Sequence, residues 1–196
     1  MFGYEYFSGI GVIEKTYSVS RQALHDQKYT VYGQLEAIRR GELEDRYDPE
    51  EGLPSLSDEL EYELGQIESA RQNLCQAVLV MLYHFWEKQV LGWAGNLKGK
   101  DRHKKYVEYC VGVGFKIDGD RLEELRCLTN LVKHGQGKSE WGDRLYKLNL
   151  SLFPQASNTT SPLDYLKLTD DYVVETFQAV KDSGPDILSD FNSTKP

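Results

Sequence analysis

Residues 60–86 read LEYELGQIESARQNLCQAVLVMLYHFW, and this run decides the fold. Leu60, Leu64, Ile67, Leu74, Val78, Met81, Leu82, Phe85 and Trp86 recur at spacings of three and four, the period of a helix with one face turned inward. Just upstream, Ser57 or Asp58 can cap that helix, and the carboxylates of its first turn suit the positive end of the helix dipole. From Ala77 to Trp86 the run is apolar nearly all round. Such a segment needs cover on two sides, from other helices or from a second subunit, so a long central helix in a homodimer is expected.

Working toward the N-terminus, the acidic stretch 41–57 with Pro49, Gly52 and Pro54 reads as a loop. Residues 11–40 carry Val12, Ile13, Tyr17, Leu24, Tyr32, Leu35 and Ile38 at mixed helical spacings, closed by Gly41, as one long helix or two joined near Asp26. Toward the C-terminus, residues 101–111 form a shorter helix broken by Gly112 and Gly114. Asp118 opens another, with Leu122, Leu125, Leu128, Leu131 and Val132 inward and Gly135 just past its end. Residues 154–162 are a polar loop, and Leu168 to Val180 give a last helix capped by Thr169. The expected fold is all-α, an up-and-down helical bundle. A single domain over 1–196 has its core at about 57–183, with helix 11–40 packed on it and a polar tail at 184–196.

Composition narrows the function classes. Charged residues make up 28% and apolar ones 40%, which excludes a disordered or membrane-like chain. A net charge of −8 disfavours sequence-blind nucleic-acid binding over the whole surface, so any such contact must be local. Cys75, Cys110 and Cys127 are odd in number, widely spaced and set among apolar neighbours, which points to buried reduced thiols rather than disulfides or zinc. The N-terminus has no secretory pattern and the stretch 77–86 is too short to span a bilayer, so a cytoplasmic protein with no membrane contact is expected. No His-Glu-x-x-His, paired-Cys or Asp-rich set occurs, and neither a metal nor another cofactor is expected.

Chemistry concentrates on the helix opened by Asp118. With its core positions removed, Glu123, Arg126, Asn130, Lys133 and His134 remain. Arg126, Asn130 and Lys133 lie within about 60° of one another around the axis, and His134 is about 80° from Arg126. Arg126 and His134 are roughly 12 Å apart along the axis, a gap that two such helices side by side in a dimer would shorten. Cations in a last turn also suit the helix dipole, and a polar outer face is ordinary. The functional alternative is that Arg126 grips a phosphodiester while His134, a residue type that titrates near neutrality, moves its protons and Asn130 orients the imidazole. His84, Glu87 and Lys88 form a second polar cluster, either a surface ion pair or part of the same cleft. His25 and His103 are expected on the surface. Residues 135–139, Gly-Gln-Gly-Lys-Ser, lack the first glycine of a phosphate loop and follow a helix, although Lys138 can still meet a phosphate.

The run from Leu125 to Ser139, with its Arg126, Asn130 and Lys133-His134-Gly135 pattern, resembles the motif region of HEPN-type proteins (higher eukaryote and prokaryote nucleotide-binding), in particular bacterial members. Tyr83 to Glu87 and the Leu168 to Asp171 start are similar to that group too, so the resemblance runs from about Ser57 to Val180. It implies a dimerising helical bundle whose two motif helices share a cleft, and in many members metal-independent RNA cleavage in toxin or antiviral defence systems. Carried onto this chain, His134, Arg126 and Asn130 are the catalytic candidates, with Lys133, Lys138 and Glu87 binding substrate. The usual pattern places an arginine immediately before the polar residue. Here Thr129 stands there, and seven residues separate Arg126 from His134. Two expectations stay side by side: an endoribonuclease, or a catalytically silent module that binds RNA, a nucleotide or a partner protein such as an antitoxin or other defence component. A purely structural dimer is the third.

Overall fold

A computed structural model describes residues 2–46, 52–95, 97, 101–134, 139–154 and 165–186. Among the described residues the regular structure is entirely helical: α1 (Phe2–Arg39), α2 (Leu56–Ala94), α3 (Arg102–Gly112), α4 (Gly119–His134), α5 (Ser139–Leu148) and α6 (Asp170–Asp182), with a 3-10 turn at Leu150–Leu152. The first helix is one continuous element that begins well before residue 11. By its contacts the chain divides into two units, residues 16–74 and residues 1–15 with 75–196, and α1 and α2 contribute to both.

In the unit of residues 16–74, Val31 and Leu35 of α1 meet Leu60 and Ile67 of α2 in a small buried core, with Leu24, Ile38, Leu56 and Leu64 packed against it. Tyr32, counted above with the apolar positions, is exposed instead. Gly41 ends α1 as expected. At φ +70° it takes the left-handed conformation that glycine enters freely, its N–H donating to the Ile38 carbonyl and that of Glu42 to Ala37. The cap of α2 corrects the expectation. Ser55, rather than Ser57 or Asp58, is the capping residue: its Oγ accepts from the Asp58 N–H at 3.1 Å, while its own N–H donates to Asp58 Oδ2 at 3.2 Å. Ser57 is instead tied to Asp45 through its N–H and hydroxyl, and these bonds lower the Asp45 pKa.

The larger unit is centred on the second half of α2. Val78, Leu79, Leu82, Trp86 and Val90 of α2 are buried in it, as are Leu122, Leu125 and Leu128 of α4 and Val173, Phe177 and Val180 of α6. Each such side chain taken fully from water contributes about 1.5–3 kcal/mol. The first turns of α1 belong to this core. The Tyr6 ring stacks on Phe85 at 5.7 Å and its hydroxyl donates to the Val180 carbonyl, while Lys181 pairs with Glu14 at 2.7 Å. Burial within the chain does not extend all round α2. Ala77, Met81 and Leu91 face solvent, Met81 being 45% exposed.

Cys75, Cys110 and Cys127 are buried, and desolvation pushes the Cys110 and Cys127 thiols up to about 12. The thiolate forms needed for reactivity are therefore suppressed. Thr169 caps α6 as expected, accepting from the Tyr172 N–H at 3.2 Å. No described helix is long and apolar enough to cross a membrane.

Candidate functional site

The Asp118 side chain accepts the Arg121 N–H at 2.9 Å and starts α4, which buries Leu122, Leu125, Cys127, Leu128, Thr129 and Leu131. Glu123 and Arg126, one turn apart, are left at the edge of this buried face. There they meet residues from two other segments, α3 with its cap residue and α5. The Glu123 carboxylate, 15% exposed, is the hub: Oε1 lies 2.7 Å from an Arg144 guanidinium nitrogen, and Oε2 accepts from Arg126 at 3.2 Å and lies 3.3 Å from His103 Nε2. Arg126 is further held by Asp101 at 3.5 Å, and its guanidinium sits 5.3 Å above the Trp141 ring. Arg144 and Trp141 come from α5, His103 from α3, and Asp101 is the residue that caps α3 by accepting the Lys104 N–H at 3.2 Å.

His103 is buried, which corrects the expectation of a surface position. Its Nδ1 lies 3.1 Å from the Tyr83 hydroxyl and its ring packs 5.6 Å from Trp86. Desolvation among these aromatic rings brings its pKa down to about 4, outweighing the opposing pull of Glu123, so the imidazole is neutral at pH 7. A carboxylate can only accept, so the ring proton belongs on Nε2 facing Glu123, and Nδ1 accepts from Tyr83. The same burial raises the Tyr83 pKa. Around this group the Trp86 indole N–H is buried with no hydrogen-bond partner among the described residues.

The other sequence candidates lie apart from this hub. Asn130 does not orient an imidazole: its Nδ2 donates back to the Arg126 carbonyl at 2.9 Å, within its own helix. Lys133 and His134 end α4 and are both exposed, and His134 has no hydrogen bond or ion pair among the described residues. Glu87 pairs with His84 at 3.5 Å one turn away on α2. Lys138 and Gly135 lie outside the described residues. Thr129 is 1% exposed, so the position where the family pattern places an arginine points into the core of this chain.

The arrangement therefore joins Arg126 to Glu123, His103, Arg144 and Asp101, and leaves His134 on its own. His103, Arg144 and Trp141 were missed by the sequence reading. The period Trp141, Leu145, Leu148 was a signal for α5, whereas nothing in the sequence around His103 announces partners on α2 and α4. Comparison with known proteins adds nothing to this geometry: no protein-family model, no curated protein and no solved structure matches the chain.

Proposed function

We propose that the chain is a HEPN-like helical module that binds RNA or a nucleotide through the arginines of α4 and α5, Arg126 and Arg144, and that a single chain holds this ligand without cleaving it. The observation that carries the reading is the company Arg126 keeps. It is locked by Glu123 and Asp101 over Trp141, and the imidazole nearest to it, His103, is buried and neutral. Proton shuttling needs an imidazole that reaches both substrate and water, and one held at a pKa of about 4 behind a carboxylate does neither. Asn130 and His134 are not drawn to Arg126 to replace it. Guanidinium groups fixed by carboxylates and aromatic rings are nonetheless suited to phosphate oxygens, because their remaining donors are already aimed.

A metal-independent endoribonuclease formed by two chains is the second reading. It is favoured by the exposed His134 at the end of α4 and by Ala77, Met81 and Leu91, which a second copy would cover. In that assembly His134 moves the protons while Arg126 and Lys133 hold phosphate, and the chain acts in the cytoplasm beside an antitoxin or defence partner. One experiment separates the two. Purified protein is mixed with labelled single-stranded RNA in EDTA, and retention and cleavage are scored independently. Binding with the RNA left intact is the expected result. RNA degraded by the unaltered protein but not by His134→Ala would overturn the binding reading in favour of the nuclease.

A further inference from the structure

We infer that the groove between residues 113–121 and the last turns of α6 docks a basic peptide segment of a partner protein. A lysine or arginine of that segment sits at Asp182, and an apolar side chain sits beside Phe115. The inference is independent of the RNA reading above, which concerns Arg126 and Arg144.

Shape is the first argument. Gly114, at φ +89°, takes a left-handed turn after α3, and the Phe115 ring then meets Trp93 edge-on with centroids 5.5 Å apart. Beside it lies a cavity of about 400 Å³ whose apolar wall is Phe7, Val113, Phe115 and Pro185. Val113 is 49% exposed, which leaves apolar surface for an incoming side chain. A second cavity, of about 820 Å³, runs between α6 and the start of α4 over Ile117 and Ala179. Lys116 and Asp182 line both, so the two adjoin as one groove.

Charge selects the occupant. The lining carries five carboxylates and three cations. Two of those cations are already engaged: Arg121 by Glu124 at 3.0 Å and Glu175 at 2.9 Å, and Lys181 by Glu14 at 2.7 Å. Asp118 is spent in the same way, as the residue that accepts the Arg121 N–H and starts α4. Asp182 has no such role. It is exposed, accepts the Gln178 amide at 2.8 Å, and has no cation partner among the described residues. It also ends α6, where the backbone carbonyls already make the potential negative and an aspartate works against its own helix. The helix end and the carboxylate together favour a cation from outside, at the point where the two cavities meet. The same charges repel RNA, and a second copy of a chain at net charge −8 brings mostly like charge.

The test is fluorescence anisotropy of the full chain with an end-labelled peptide of alternating lysine and leucine, whose extended form sets the two residue types on opposite sides. Asp182→Lys is expected to weaken binding about tenfold, because it places like charge against the peptide's lysines. Asp26→Lys, which changes the net charge equally at an exposed position of α1, is expected to leave binding unchanged. Val113→Ser should weaken it about threefold without altering its salt dependence, since the loss is apolar. Lys116→Ala should tighten it. Circular dichroism checks that each variant keeps its helices, and Asp182 and Val113 are exposed enough for substitution to spare the fold. Equal losses from Asp182→Lys and Asp26→Lys mean attraction to net charge alone and overturn the groove. A glutamate and leucine peptide that binds as tightly overturns the basic occupant. Peptide binding that appears only after deletion of residues 187–196 gives the groove to the chain's own terminal segment, and a wild-type dimer that Asp182→Lys dissociates gives it to a second copy; either result overturns the partner. No binding by the wild-type chain overturns the proposal and leaves the RNA reading untouched.

Discussion

Acid should weaken this protein in part through His103, and His103→Gln should reveal that share. Burial holds His103 at a pKa of about 4 against 6.5 for an ordinary histidine, with Glu123 pulling the other way and Arg126 pushing it down again. The unfolded chain takes up this proton near pH 6.5, while the folded chain resists until about pH 4. Between those values the unfolded state binds more protons, so the stabilisation is fully present above pH 6.5 and drains away as the pH falls through the window. Comparing the two titration curves at pH 7 and at about pH 4.5 gives a loss of roughly 2 kcal/mol. Glutamine at 103 can still accept from Tyr83 but cannot titrate. The carboxylates depressed in the folded state away from His103, Asp45 and Glu68, are shared by both proteins and cancel in the comparison. Urea unfolding at stepped pH should therefore show the wild-type advantage over His103→Gln shrinking by that amount. Parallel stability curves for the two proteins would refute the neutral buried imidazole.

Thr129→Arg, which would complete the family-like motif, should instead cost at least about 3 kcal/mol, because it forces an unpaired charge into a site 1% exposed; an unchanged thermal midpoint would show that position 129 can open outward. Gly184→Ala drives a Cβ into the Tyr6 ring, which is fully buried and bonded to Val180, and is expected to cost about 1–3 kcal/mol in urea unfolding. Ser55→Ala removes the acceptor for the Asp58 N–H and should lower stability by about 1 kcal/mol, with amide exchange accelerated in the first turn of α2. His134→Ala, at an exposed helix end, should change stability by no more than about 0.5 kcal/mol, so any effect on RNA can be read as functional.

The helices were legible where a single face stays apolar over several turns. The run 60–86 and the leucines of α4 declared themselves by period, and Thr169 and Gly41 by the chemistry of helix ends. Ser55 escaped because Leu56, directly after it, opens the helix two residues ahead of the acidic turn. The face of α4 was also readable as a list of polar residues, but its wiring was not. Spacing along one helix placed Arg126 near Asn130 and His134, whereas the strongest partner for a guanidinium is the best-ordered carboxylate in reach. Glu123 is that group, and it is ordered by His103 and Arg144, which lie 20 and 21 residues to either side in the chain. Contacts of that range are set by how α3, α4 and α5 pack, and single-helix geometry carries no information about them.

The hydrogen bond from Tyr6 to the Val180 carbonyl joins residues 174 positions apart. On a ribosome adding about 5–20 residues per second, roughly 9–35 s pass between the emergence of one partner and of the other. The partners of Val31 and Leu35, by contrast, follow within a few tens of residues, so residues 16–74 can assemble early, and the Tyr6 ring can meet Phe85 once α2 is made, while its hydroxyl has no Val180 carbonyl to reach until α6 follows. Synthesis thus imposes a waiting period on this one bond, and a truncation that removes α6 would make that wait permanent.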